Sequence, residues 1–342
     1  MICLENIYIF LAMITIIITK YCKNHLDKFV DWYVIFTIPK SERNNKSIIY
    51  YYFDNYLETF LDYIFQNNTF PPNKILDYVI NDDLMTNYII WNDDKSILNN
   101  KRDISGKNKA HSKGILIYDS DSGVFLSHSI PKYPVRDINN NVLKILPDNS
   151  DKYGQSMLCI SLSKDECEEI IKLLRYININ VVKIVTRDRV NTFPNLSLFN
   201  IIMNVKLTNV EIDNLIKIRS LKLEKFYFIV KNHKKEVIPY DTTLRCIFED
   251  DFFVRTWSKP KLSVAETYNN LFIKNIYNVK IGKYYIPINK DHSKWAIAKN
   301  KNIICFSDLN HVISQKSRGG MIICFENKNL HKYLYDCIIE TE

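Results

Sequence analysis

Short apolar blocks alternate with polar ones along the whole chain, and two periods can be read in them. Residues 32–38 and 48–53 are rich in aromatic and β-branched side chains, which predicts buried strands. Residues 226–230 and 252–257 read the same way. Elsewhere the apolar positions recur every three or four residues. Leu57, Phe60, Leu61 and Ile64 give residues 56–65 a helical spacing, and Ile170, Ile171, Leu173 and Leu174 do so for 161–176. Ser163 and Asp165 are suitable N-terminal caps for the second of these. Residues 210–223, 264–277 and 330–339 also carry helical patterns. Residues 92–110, dense in Asn, Asp and Lys, predict a loop, and 178–195 a connection between two halves. Strands and helices interleaved along the chain predict an α/β class.

One pattern is written twice. His111-Ser112-Lys113 runs into apolar Gly114-Ile115-Leu116-Ile117-Tyr118, a polar turn, apolar Val124-Phe125-Leu126, and polar Ser127-His128-Ser129. His292-Ser293-Lys294 runs into Trp295-Ala296-Ile297-Ala298, a Lys-Asn turn, Ile303-Ile304-Cys305-Phe306, and polar Ser307-Asp308-Leu309-Asn310. Each copy therefore predicts a tripeptide, a two-stranded hairpin and a polar tip. A third His-x-Lys, His233-Lys234-Lys235, has no hairpin after it and is a chance match in a Lys-rich chain.

The spacing carries chemistry. On extended backbone, residues i and i+2 share a side, so each tripeptide presents its His with its Lys. If the two halves pack about a pseudo-two-fold axis, both pairs meet in one cleft. Two lysines there neutralise the non-bridging oxygens of a phosphodiester. One neutral imidazole attacks phosphorus and the other, protonated, donates to the leaving oxygen. His128 and Asn310, at comparable polar tips, read as phosphate-binding or imidazole-orienting groups, and Asp308 as an orienting group. The competing reading of every one of these is a polar strand end or turn residue.

The paired His-x-Lys motifs resemble the phospholipase D superfamily, and the words around them resemble deoxyribonuclease II more narrowly. Those words are Val30 to Val34 with Ile38-Pro39-Lys40, His111 to Gly114, Ser127 to Pro131, Tyr153-Gly154-Gln155, Asp291 to Trp295, and Ser307 to Asn310 followed by Arg318-Gly319-Gly320. They run from about residue 22 to residue 324, with residues 190–285 only loosely similar. The phospholipase D signature has Asp five residues after the Lys; here those positions are Tyr118 and Lys299, which favours the deoxyribonuclease II branch. Ala110 and Met321 stand where that family usually has Gly. The resemblance implies two similar phospholipase D-like halves, residues 22–190 and 191–342, each a mixed β-sheet flanked by helices, sharing one active-site cleft. It implies an acid endonuclease acting on DNA without metal or cofactor, leaving 3′-phosphate and 5′-hydroxyl ends, with His111 favoured as the nucleophile. It also implies Cys22–Cys159 and Cys305–Cys324 disulfides. A further family disulfide has Cys337 at one end and no matching cysteine at the other, with Cys246 a substitute partner. The rival functions are a lipid phosphodiesterase of phospholipase D type and a DNA-binding decoy that never cuts.

Composition narrows the setting. The formal charge is +8, which favours a polyanionic partner. Abundant Ile, Asn, Lys and Tyr are what an AT-rich coding genome produces, and would suit a family member from a large DNA virus. Residues 7–18 form an almost wholly apolar run, short for a membrane span and of ordinary length for a signal-peptide core. Residues 1–21 are expected to be a secretion signal, with an uncleaved anchor and buried structure as the alternatives; cleavage leaves no stable membrane insertion, and the signal sends the protein to the secretory pathway, lysosomal or secreted. Asn45, Asn67 and Asn195 begin N-x-Ser/Thr sequons. Nothing in the sequence fixes the oligomeric state.

Overall fold

A computed structural model describes residues 20–341, apart from 44–46, 82–85, 94–108, 138, 140, 187–214 and 258–269. The apolar run at 7–18, Asn45 and Asn195 lie outside the described residues. So do most of the loop expected at 92–110 and half of the connection expected at 178–195.

Two large sheets dominate. Two short strands, β1 (Cys22–Lys23) and β2 (Phe29–Val30), pair at the start. The first large sheet then takes β3 (Trp32–Thr37), β4 (Ile49–Asp54), β5 (Leu61–Ile64), β6 (Asn87–Trp91), β7 (Gly114–Tyr118), β8 (Ser122–His128), β11 (Gln155–Ser163) and β12 (Val181–Val185). Between β8 and β11 a small ribbon pairs β9 (Val135–Arg136) with β10 (Val142–Leu143). The first sheet runs in the order β12-β6-β7-β8-β11-β3-β4-β5. The second holds β13 (Leu215–Arg219), β14 (Lys225–Lys231), β15 (Phe252–Arg255), β16 (Ile273–Ile281), β17 (Tyr284–Pro287), β18 (Trp295–Ala298), β19 (Ile303–Ser307), β20 (Gly320–Glu326) and β21 (Ile338–Thr341). Its order is β13-β14-β20-β19-β18-β15-β16-β17, with β21 added beside β16. Helices are few: α1 (Pro71–Ile80), α2 (Lys164–Ile177) and a closing helix, Lys328–Asp336, are the long ones among the described residues.

The sheets share one core. Trp32 of β3 packs on Phe325 of β20 with ring centroids 4.9 Å apart, Phe36 on Phe306 at 5.8 Å, and Phe125 on Phe228 at 5.8 Å. The buried face of α2, with Ile170, Ile171, Leu173, Leu174 and Ile177, closes the same cluster. This burial stabilises each apolar side chain by about 1.5–3 kcal/mol. Trp32, Val34 and Phe36 of β3 face this core, while Tyr33 and Ile35 face a second cluster with Ile75, Leu76 and Val79 of α1, so β3 is buried along its whole length rather than on alternate residues. Ser163 caps α2 by accepting from the Glu166 amide at 3.4 Å.

Several expectations are corrected. The class is mixed α/β, but strands far outweigh helices among the described residues. The first sheet is antiparallel at every described pairing; only the second is mixed, through the parallel β15–β16 pair. Residues 61–64, expected in a helix, form β5 on the open edge of β4, where Leu61 and Ile64 stay exposed. The described part of 210–223 is β13, paired with β14, and Ile218 is buried in the inter-sheet core. The described part of 264–277 leads into β16. Residues 181–185 extend the first sheet rather than linking two halves. In each case a short window satisfied both periods, and an unpaired neighbouring strand decided between them.

Candidate active site

Each His-Ser-Lys tripeptide lies on the approach to a strand rather than in it: the first just before β7, the second just before β18. Each is held by residues of both halves of the chain. The α2 helix ends at Asn178, whose left-handed φ of 62° turns the backbone sharply. The Asn178 carbonyl accepts from the Ala110 amide at 3.0 Å, and the Gly319 carbonyl from the His111 amide at 2.8 Å. The Arg318 guanidinium donates to the Ala110 carbonyl at 3.1 Å. Trp91 donates its indole N–H to Ser112 Oγ at 2.8 Å. A Cβ on Gly319 would stand 2.1 Å from the Ile177 carbonyl oxygen, so this close approach requires glycine.

The second tripeptide is gripped in a reciprocal way. Gly154, from the first half, donates to the Lys290 carbonyl at 2.8 Å and accepts from the His292 amide at 2.7 Å. The Ser156 hydroxyl accepts from the Lys294 amide at 3.2 Å. Asp291 accepts from the Ser293 amide and is paired with Arg255 at 2.9 Å. Arg255 is fully buried and also donates to the carbonyls of Ile276, Tyr277 and Ile286.

The polar tips are exchanged. Asp308, at the tip of the second hairpin, offers its backbone carbonyl to His111 Nδ1 at 2.7 Å. Its carboxyl lies 3.5 Å from the Ser127 hydroxyl of the first hairpin and also accepts from Ser112. In return Ser129, at the first tip, accepts from the Ser156 amide at 2.9 Å, and Ser156 bonds Lys294. The hydrogen bond at Nδ1 makes that nitrogen the donor, which leaves the lone pair of a neutral His111 on Nε2.

The electrostatics couple both tripeptides. Lys113 and Lys294 each depress the His111 and His292 imidazoles. For His111 burial is the larger cause, and its pKa lies well below the ordinary value. His292 falls to about 4, from burial first and Lys294 next. Lys294 itself falls to about 7 through burial and the nearby Lys113. Burial raises Asp308 to about 7 against the pull of both lysines. The His292 ring stacks on Tyr153 with centroids 4.1 Å apart and planes 7° apart, and meets Trp257 edge-on at 5.6 Å.

His128 and Asn310 are both buried at this junction. His128 packs edge-on to Tyr133 at 5.2 Å, and burial lowers its pKa to about 3. Neither His128 ring nitrogen has a hydrogen-bond partner in good geometry, although the Ile130 backbone is close. Asn310 Oδ1 and Asp308 Oδ2 are also unpartnered buried atoms. Such atoms are rare in a protein interior, and here four of the site's residues carry them, Ser293 through its Oγ being the fourth.

Sequence reasoning missed Asp93. It follows β6, whose Trp91 pairs with Gly114, and so lies beside the first tripeptide. Its carboxylate pairs with Lys113, with His111 Nε2 at 3.4 Å and with Arg318 at 3.4 Å. Burial favours its neutral form, but Lys113, His111 and Arg318 outweigh that and hold it well below the usual carboxylate range. The available signal was an apolar strand ending on polar Asn92-Asp93, the same design as the two hairpin tips. Tyr153 was visible only as part of the Tyr153-Gly154-Gln155 word, with no role assigned to it, and Trp257 had no signal beyond being aromatic. Among the described residues no three His, Cys, Asp or Glu side chains converge as a metal site.

Disulfides join Cys22 to Cys159 and Cys305 to Cys324. Cys246 is not the partner of Cys337: Cys246 is an exposed thiol and Cys337 a buried one, with Cys167 also free and buried. Asn67 lies in an exposed turn. No helix among the described residues is long and apolar enough to cross a membrane.

Comparison with known proteins adds the relatives of this arrangement. The profile described as deoxyribonuclease II matches residues 21–342. Plancitoxin-1 of Acanthaster planci is 27% identical, over 94% of this chain and 91% of its own length. Cell-death-related nuclease 7 of Caenorhabditis elegans is 24% identical, over 94% and 87%. Deoxyribonuclease-2-beta of Mus musculus is 24% identical, over 91% and 89%.

Proposed function

The chain belongs to the deoxyribonuclease II family, and from that premise we propose that it is an acid endodeoxyribonuclease working without metal through a histidine nucleophile. The observation that carries the mechanism is the exchange of tips. It fixes His111 by its Nδ1–H on the Asp308 carbonyl while Lys113 and Lys294 stand within electrostatic reach of both imidazoles.

In the proposed reaction His111 Nε2 attacks phosphorus as the bond from phosphorus to the 5′-oxygen breaks. The leaving oxygen takes a proton from His292. The upstream strand is then held on His111 through its 3′-phosphoryl group. Water attacks next and gives its proton to the neutral His292. The P–N bond breaks, and the products are a 3′-phosphate and a 5′-hydroxyl. Lys113 and Lys294 hold the non-bridging oxygens, supplying the positive charge that a metal ion supplies elsewhere. His128 and Asn310, with unpartnered buried atoms, serve the phosphate.

Acidity enters through three groups. His292, at about 4, is protonated only in acid. Lys294 and Asp308, both near 7, gain protons as pH falls through neutrality. All three changes make the site more positive toward an anionic substrate. The two sheets would be the two phospholipase D-like halves: β12 at Val181–Val185 is the last described strand of the first and β13 at Leu215–Arg219 the first of the second, on either side of the division expected at residues 190 and 191. The disulfides support an oxidising compartment, hence a secreted or lysosomal protein whose residues 1–21 are a signal.

The test is plasmid nicking across roughly pH 4–8 with and without EDTA, with end-labelling of the products. Nicking in acid that survives EDTA and leaves 3′-phosphates is expected. Activity that needs Mg²⁺ would overturn the mechanism. Headgroup release from lipid without nicking would favour a lipid phosphodiesterase, and DNA binding without cleavage a decoy.

A further inference from the structure

Asp93 is unused by the mechanism above, yet its carboxylate touches the groups meant for the substrate. It pairs with Lys113 Nζ, stands 3.4 Å from His111 Nε2, and stands 3.4 Å from an Arg318 guanidinium nitrogen. His111 Nδ1 already donates to Asp308, so a neutral His111 turns its lone pair toward Asp93. A lone pair facing a carboxylate is not an orienting hydrogen bond. What belongs in front of that nitrogen is an electrophile flanked by anionic oxygens, and a phosphodiester has that form.

We propose that Asp93 is the site's own anion: in the free enzyme its carboxylate holds the place that a DNA phosphodiester takes, and substrate binds by displacing it. This rests on the functional reading above. The charged and titratable groups facing Asp93 are His111, Lys113 and His128 from the first hairpin, Lys294 from the second, and Arg318 from the turn before β20. All five are bases or fixed cations that a phosphate would also engage, and His128 has both ring nitrogens unpartnered.

The consequence is a linkage. Asp93 stays ionised to strong acid while its cations surround it. A bound phosphodiester takes those cations and adds like charge, which raises the Asp93 pKa. Binding therefore takes up a proton, and affinity for the diester increases as pH falls. The enzyme would then discriminate against neutral pH at the binding step as well as at proton donation by His292.

The probe is diethyl phosphate, a diester that remains a monoanion across the range, titrated by ³¹P NMR. Wild type should bind it about tenfold more tightly at pH 5 than at pH 7. Asp93→Asn should bind it at least tenfold more tightly than wild type at pH 7 and show a shallower pH dependence, the remainder being that of Lys294 and Asp308, with a matching fall in KM for DNA. Should Asp93→Asn not fold, carboxyl-carbon NMR on wild type replaces it: the Asp93 signal should shift toward the protonated form when diester binds at pH 5. An unchanged affinity in the variant, or an unmoved carboxyl signal in wild type, would overturn the proposal and leave Asp93 as a structural counter-ion. So would a fall in kcat at every pH with KM and diester affinity unmoved. Diester binding is read without turnover, so its failure leaves nicking untouched, and an absence of nicking leaves this measurement standing.

Discussion

His111 and His292 belong to identical tripeptides, but the chain surrounds them with different chemistry. Around His111 are a backbone carbonyl on Nδ1, a carboxylate before Nε2, and a guanidinium from the opposite half. Around His292 are aromatic rings, Tyr153 stacked and Trp257 edge-on. Its neighbouring carboxylate, Asp291, is already occupied by the fully buried Arg255. A histidine with one nitrogen tied down has a fixed tautomer and a directed lone pair, as a nucleophile requires. A histidine between aromatic faces, with no carboxylate to hold its proton, gives that proton up readily, as an acid requires. The motif sets what the two copies share, and the surroundings divide the labour.

The largest test of that division is mutation of each histidine. His111→Ala should abolish nicking, and His292→Ala should lower it by about 10²–10⁴. A thymidine 3′-(p-nitrophenyl phosphate) separates the two, because its aryl leaving group needs no proton. His292→Ala should recover most of its activity on that substrate and His111→Ala none. Rescue of His111→Ala instead would reverse the assignments.

The pH profile comes next. With His292 at about 4, its protonated fraction grows about tenfold for each unit that the pH falls from 7 to 5. The kcat/KM measured on DNA should therefore rise by about 10² from pH 7 to pH 5. Below that it should turn over as His111 begins to protonate, and the two limits belong to the coupled pair. A profile flat from pH 5 to pH 7 would remove His292 as the proton donor.

The two clamps can be compared through their glycines. Gly319→Ala sets a methyl 2.1 Å from a backbone oxygen of Ile177, whereas Gly154→Ala meets the Asp291 carboxylate at 2.7 Å. Backbone at the end of α2 cannot yield, so the Gly319 strand must move and take the His111 amide contact with it. A displacement of about 1 Å is enough for a 10²-fold loss. Gly319→Ala should lose about that much in kcat. Gly154→Ala should lose less, about tenfold, and show it in His292-dependent steps. Equal losses would mean that the clamps are equivalent.

The smallest effect is expected for Tyr153→Leu. An aromatic face favours a cation by about 0.5–1 kcal/mol at a partly open site. Loss of the ring should therefore lower the His292 pKa and move the acid limb down by about half a pH unit. Nitrogen chemical shifts of His292 measure this directly, and an upward move would show that the ring acts by burial instead.

Much of this molecule is legible in its sequence because it is local. The strands β3, β4, β14 and β15 follow from β-branched and aromatic runs, and α2 from its apolar stripe and Ser163 cap. The duplicated tripeptide and hairpin name the residues that lie in the site. The helical spacing at 56–65 and 210–223 misled because four or five apolar residues fit either period, and the open edges of β4 and β14 took them as strands. Asp93 was hidden because its partners, Lys113 and Arg318, are far from it in the chain, and only the β6–β7 pairing and the Arg318 turn bring them to it. The sequence by itself determined which chemical groups the chain would bring to its centre. Only the tertiary structure decided how the copies differ, since the Asp308 carbonyl that fixes the His111 tautomer and the Tyr153 ring stacked on His292 each come from the opposite half, and no local pattern encodes a contact across two sheets.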